Sequence, residues 1–260
     1  MKVLFSIVTL FMVISLSAPQ QAHAQQTLYG LPARMRDLSD LELTDTNTLT
    51  PPQKTEVILS WLVEERNHPS PTTQGTGGSP IDSDYLQAQI VKDLEVWGDP
   101  NAVGWVLSST SLKDEGLRDI MVLVLGSMGD RSQLPKIESI MQDNPNPYLR
   151  AIAAEDLGLL GSVSSIPVLE KAAKDPFFLT FASESHGGKV IDFYPVRQVA
   201  GETLKVLRDP DALKLKMERN QFFVQRLNNA RLYARQHNLK PERFTKIADR
   251  SRATPKSPKA

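Results

Sequence analysis

The chain has 260 residues, 40% hydrophobic and 23% charged, with a formal net charge of zero; this is the make-up of a globular protein long enough to bury a sizeable core, and it excludes a disordered chain. There is no cysteine, which excludes disulfides, thiolate metal sites and cysteine nucleophiles. The zero conceals a division: residues 25–204 carry 14 Lys and Arg against 25 Asp and Glu, whereas residues 205–260 carry 15 against 5, an acidic body with a basic end.

Lys2, an apolar run over residues 3–16 and the small-residue site Ala22-His23-Ala24 predict an export signal spanning residues 1–24 and cut after Ala24. The run is shorter than the roughly 20 residues needed to cross a bilayer. The expectation is a periplasmic or secreted protein. Residues 25–80 form an N-terminal segment. In it Thr50, as N-cap, and Pro51-Pro52 open a helix whose apolar positions are Val57, Ile58, Trp61 and Leu62. The stretch 68–80 has the composition of a flexible loop.

From residue 81 the pattern repeats. Leu149, Ile152, Ala153, Leu157 and Leu160 make one apolar helical face, and Gly158 and Gly161 flank its end, where a glycine can take a positive φ. Ile166-Pro167 then starts a second helix that buries Leu169, Ala172 and Ala173. Thirty-two residues earlier the pattern is the same: Arg118 answers Arg150, Ile120 answers Ile152, Gly129 answers Gly161, Pro135 answers Pro167 and Asp143 answers Asp175. A weaker copy begins near Asp84 at an offset of 31, and a partial one follows with Arg197, Val199, Ala200 and Leu204. Such repetition predicts an all-α, right-handed α-solenoid of about four helix pairs over residues 81–209. An insertion at 177–195, with aromatic and β-branched residues around His186-Gly187-Gly188, predicts one small β-hairpin. C-terminal helices follow over 210–249, with a disordered basic tail over 250–260.

The sequence YLRAIAAEDLGLLGSVSSIPVLEKAAKDP resembles a HEAT repeat of the short bacterial type, similar to those of phycobilisome-lyase-like proteins, and the likeness covers about residues 81–207. It implies the solenoid fold and is nearly silent on activity.

Few residues carry a chemical signature. Arg118, Arg150 and Arg197 stand at equivalent repeat positions, and with Asp143 and Asp175 they suit an Asp–Arg ladder that fixes repeat register. The histidines lack ligand spacing, no nucleophile elbow or phosphate loop is present, and no cofactor is expected. Adjacent carboxylates such as Glu64-Glu65 and Glu155-Asp156 face different directions on a helix and read as solvated surface. A candidate partner surface comprises Lys136, Glu138, Glu170 and Lys171 on the second helices of the pairs, with His186, Phe193 and Tyr194 at the insertion.

The leading expectation is an exported scaffold that binds a protein partner along its concave surface, with no nucleic acid as partner. Its rival is an enzyme or enzyme subunit with a site between the hairpin and the N-terminal segment. A third reading brings the basic tail to an anionic membrane surface.

Overall fold

The computed structural model describes residues 49–74, 80–183 and 189–251. The expected export signal, the hairpin turn with His186 and the tail from Arg252 lie outside these residues.

Helix α1 (Pro51–Asn67) starts where expected: the Thr50 amide donates to Gln53 Oε1 at 2.8 Å, and Ile58, Leu59, Leu62 and Val63 turn inward. Within the stretch read as a loop, β1 (Thr73–Gln74) pairs antiparallel with β2 (Pro80–Ile81). Helix α2 (Ser83–Trp97) is capped by Asp82, which accepts from the Tyr85 amide, and α3 (Pro100–Leu107) by Asp99, which accepts from the amides of Asn101 and Ala102. The next pair is α4 (Glu115–Ser127) and α5 (Leu134–Asp143), followed by α6 (Pro147–Leu159) and α7 (Ile166–Ala172). Both turns within these two pairs close on a glycine with positive φ, Gly129 at 92° and Gly161 at 63°, a conformation in which a Cβ would clash with the backbone.

Strands β3 (Leu179–Ser183) and β4 (Lys189–Phe193) form the expected antiparallel hairpin, Leu179 opposite Phe193 and Ser183 opposite Lys189. The partial fourth unit is α8 (Pro195–Arg208). It closes tightly on α6 because Gly158 has no side chain: a Cβ there would lie 2.9 Å from Thr203 Cγ2. Thr203 in turn donates to the Ala154 carbonyl at 3.1 Å. The described residues thus form an all-α solenoid of HEAT-like helix pairs with a small hairpin.

Helix α4 is sunk deepest, buried without a break from Ile120 through Ser127. Its neighbours α2 and α6 pack on it and also reach each other. That arrangement creates the seam in which the candidate site lies.

The basic end folds back on the acidic body. Helix α9 (Pro210–Gln236) packs along α8, α6 and α3, and α10 (Glu242–Ala248) on α1 and α3. Arg226 fastens α9 to the end of α2, donating to the carbonyls of Glu95, Val96 and Gly98 at 2.7, 2.8 and 2.9 Å. Phe244 is fully buried, its ring 5.9 Å from that of Trp105. The first two residues of the tail expected to be free are engaged with the body: the Arg250 carbonyl accepts from Asn67, and the Ser251 hydroxyl donates to Asp114. No helix among the described residues is long and apolar enough to cross a membrane.

Candidate functional site

Helices α2 and α6 belong to the first and third repeats, and they meet through equivalent positions. Tyr85 and Tyr148 share one repeat position, occupied by Gly116 in the repeat between; Lys92 and Glu155 share another, occupied there by Leu123. At the first position the tyrosine rings meet edge to face, centroids 5.6 Å apart. Two turns further along, Lys92 Nζ lies 3.0 Å from Glu155 Oε2. The seam therefore has an aromatic end and a charged end.

At the aromatic end the Tyr148 ring also meets Phe177, where the chain enters the hairpin, with centroids 5.8 Å apart and a near-perpendicular crossing. Two carboxylates attend it. Asp82 caps α2, and Asp84 lies in the first turn, its main-chain carbonyl accepting from Asn146 Nδ2 at 3.1 Å. Burial raises the Tyr148 phenol well above its ordinary value, and the charges of Asp82 and Asp84 add to the rise. Burial and the neighbouring Asp82 also push the Asp84 carboxyl up, against the opposing pull of Arg66. Electronegative groups and aromatic rings arranged together suit a cation.

At the charged end Lys92 bridges Glu155 and Glu95, the latter at 3.0 Å. Burial pulls the lysine pKa down, but Glu155, Glu95 and Asp156 outweigh it, so the ammonium holds its proton more firmly than usual. Burial raises Glu95, against the lowering influence of Lys92. Beneath the pair, Asp156 is 0% exposed, and neither of its carboxylate oxygens has a hydrogen-bond partner. Burial drives its pKa far up, with Glu95 and Glu155 adding to the rise and Lys92 opposing it.

The solvated-surface expectation for Glu155-Asp156 is therefore corrected. On a helix, adjacent residues diverge by about 100°, which points Glu155 along the seam and Asp156 beneath it. The repeat register held the signal, because Asp156 stands where the preceding repeat places the buried Val124. Glu65 departs from the same expectation: it is 1% exposed and accepts from the amide and hydroxyl of Ser70.

The arginines play unequal parts. Arg150 forms a bidentate pair with Asp175, Nε to Oδ2 at 2.8 Å and Nη2 to Oδ1 at 3.0 Å. Arg197 reaches the Asp175 main-chain carbonyl and lies 4.2 Å above the Tyr194 ring. Arg118 turns instead to the carbonyls of Leu107, Ser109 and Leu112, and Asp143 stays exposed. Arg150–Asp175 is thus the single carboxylate rung of the expected ladder among the described residues. The reason is local: the irregular link between α3 and α4 presents carbonyls that lack helical partners, and Arg118 satisfies them.

The expected partner surface is not one continuous patch of free charge. Lys136 and Lys171 are exposed, but Glu138 accepts from Ser165, and Glu170 pairs with Arg208. Phe193 and Tyr194 are half-buried, and Tyr194 packs against Phe178 at 5.5 Å. Among the described residues no group of three or more His, Cys, Asp or Glu is arranged to hold a metal ion. In the seam, the ammonium of Lys92 takes the point that Glu95 and Glu155 share.

Residues 81–158 match the family model of HEAT repeats. Deoxyhypusine hydroxylase from Danio rerio is 35% identical over 82 residues, covering 30% of this chain and 26% of that protein. Deoxyhypusine hydroxylase from Rattus norvegicus is 30% identical over 80 residues, with the same coverage. The chain thus spans about a quarter of the length of these curated relatives. No solved structure matches. The expectation of a non-enzymatic scaffold is corrected by these relatives, which are enzymes, and the rival reading fits them better.

Proposed function

Because residues 81–158 are HEAT repeats, and the relatives that share them are enzymes named for an amine-bearing substrate, we propose that this chain is an enzyme, or the repeat subunit of one, that engages a cationic amine group at the aromatic end of the α2–α6 seam. The observation that carries this reading is the Tyr148 ring, crossed near-perpendicularly by the rings of Tyr85 and Phe177, with Asp82 and Asp84 beside it. An ammonium group entering there gains from two carboxylates and from the electron-rich ring faces. It also lies where the hairpin leaves the solenoid, close to α1 through the influence of Arg66 on Asp84. Hydroxylation itself remains a property of the relatives, and only the class of substrate group is carried across.

The test is calorimetric titration with a deoxyhypusine-bearing peptide and with the same peptide acetylated on its terminal amine. The charged peptide should bind at least tenfold more tightly, and Asp84→Asn should lose most of that preference while keeping the wild-type melting profile. Equal affinity for the charged and neutral peptides, or no binding by either, overturns the reading.

A further inference from the structure

The charged end of the seam contains more negative charge than it can neutralise. Three carboxylates, Glu95, Glu155 and Asp156, converge on one ammonium, Lys92. Lys92 satisfies the first two through contacts of 3.0 Å each. The nearby Ser127 hydroxyl, on α4, donates within its own helix to the Val124 carbonyl at 3.0 Å. Nothing is left for Asp156: it is wholly buried and both its oxygens lack a partner. An ionised carboxylate in that position would be a buried charge without compensation, one of the costliest arrangements a fold can contain.

The surroundings decide what kind of ligand relieves it. Gly126 of α4 faces Asp156 so closely that a Cβ on the glycine would lie 3.2 Å from Oδ2 and 2.5 Å from Ile137 Cδ1 of α5. Arg226 of α9, which reaches the end of α2, is spent on the carbonyls of Glu95, Val96 and Gly98. The packing is too close on the Gly126 side for a hydrated cation, whereas a proton needs no added volume.

We propose that Asp156 is a proton-binding site at the floor of the seam, occupied in the folded chain, and that loss of its proton loosens the contact between α2 and α6. The proton rests on Asp156 rather than on Glu95 because Glu95 is already paired with the Lys92 ammonium at 3.0 Å, whereas Asp156 has no donor. Release leaves the carboxylate charged and sends the proton to solvent, and no other reactant takes part. The direction follows from linkage. A group that holds its proton more tightly in the folded than in the unfolded chain stabilises the fold at low pH. That stabilisation is lost as pH rises from the ordinary aspartate value through the folded one. The inference does not depend on the amine-binding reading, since it concerns the opposite end of the seam and a different ligand.

The decisive measurement is the side-chain carboxyl carbon shift of Asp156 in the full isotope-labelled chain, followed against pH. A shift that still reports the protonated form where an ordinary aspartate has already lost its proton is the expected result; titration in the ordinary range near pH 4 overturns the proposal. The unfolding equilibrium supplies an independent readout with Asp156→Asn, which copies the shape and neutrality of the protonated acid. Between pH 5 and the pH at which Asp156 titrates, this variant should lack the component of stability loss that approaches tenfold per pH unit for one linked proton. An unaltered slope in that variant also overturns the proposal. Should the variant fail to fold, the carbon titration of the wild-type chain still decides.

Discussion

Asp114 and Asp156 are both buried aspartates of the repeat region, 1% and 0% exposed, and they solve the same electrostatic problem in opposite ways. Asp114 caps α4 and gathers donors from three parts of the chain: the Arg66 guanidinium through Nε and Nη2, the Ser251 hydroxyl and the Leu117 amide. Burial would raise its pKa, but the bonds from Arg66 and Ser251 outweigh burial and hold it below the ordinary value. Asp156 gathers no donor, and its pKa moves the other way. The first carboxylate is a charged fastening that ties α1, α4 and the C-terminal end together. The second is a group whose charge the fold disfavours. Equal burial therefore says little about function until the partners are counted.

The comparison breaks most severely at Arg66. Arg66→Met keeps most of the side chain's apolar length but leaves Asp114 buried with its principal cation gone, which places Asp114 in the situation of Asp156. The expected cost is about 3–5 kcal/mol, measured as a fall in the denaturant midpoint. The pKa of Asp114 should cross from below to above the ordinary aspartate range. Gly116 is an accomplice in this arrangement, since a Cβ there would lie 2.3 Å from the Arg66 Nη2, so the glycine is the space in which the guanidinium lies. A loss under about 1 kcal/mol, the scale of a surface ion pair, would mean that water reaches Asp114 readily and that the contrast with Asp156 is overstated.

The two aspartates also differ in how far the sequence revealed them. Helix pairs, the glycines at 129 and 161 and the Arg150–Asp175 rung were legible because they depend on spacing within one or two adjacent repeats. Asp114 could be read as a helix cap from its local setting, but its arginine lies 48 positions away and its serine 137. Only the folding back of the basic end brings them together. Asp156 was misread because adjacent carboxylates on a helix usually reach solvent. The correcting signal was the repeat register, in which its position is that of Val124. The seam itself was invisible for a related reason. It joins the first repeat to the third over the sunken α4, whereas periodicity speaks only of immediate neighbours.

A pH series sharpens the same comparison with a smaller effect. For Asp114 the folded pKa is depressed, so its contribution to stability is present above the unfolded value near 3.8 and fades as pH falls through the folded one. Asp114→Asn should therefore flatten the acid limb of the stability curve. Asp156→Asn should leave that limb intact and act on the limb above it. The check is urea unfolding at stepped pH, with the two variants compared against wild type. Identical curves for both variants would show that the two carboxylates are not opposed as described.

The smallest expected effect isolates the C-terminal contribution to the Asp114 fastening. Ser251→Ala removes one hydroxyl donor while Arg66 and the Leu117 amide remain. A hydrogen bond to a charged, buried acceptor contributes about 1.5 kcal/mol, and the alanine leaves the rest of the packing in place. Hydrogen exchange gives a finer reading than a melting curve. The amides of α10, whose last residues lead directly to Ser251, should lose protection several-fold, whereas those of α6 should be unchanged. Equal loss in both helices would mean that the C-terminal end supports the whole solenoid rather than the Asp114 junction. Unchanged protection in α10 would mean that Arg226 and Phe244 hold that end without help from Ser251.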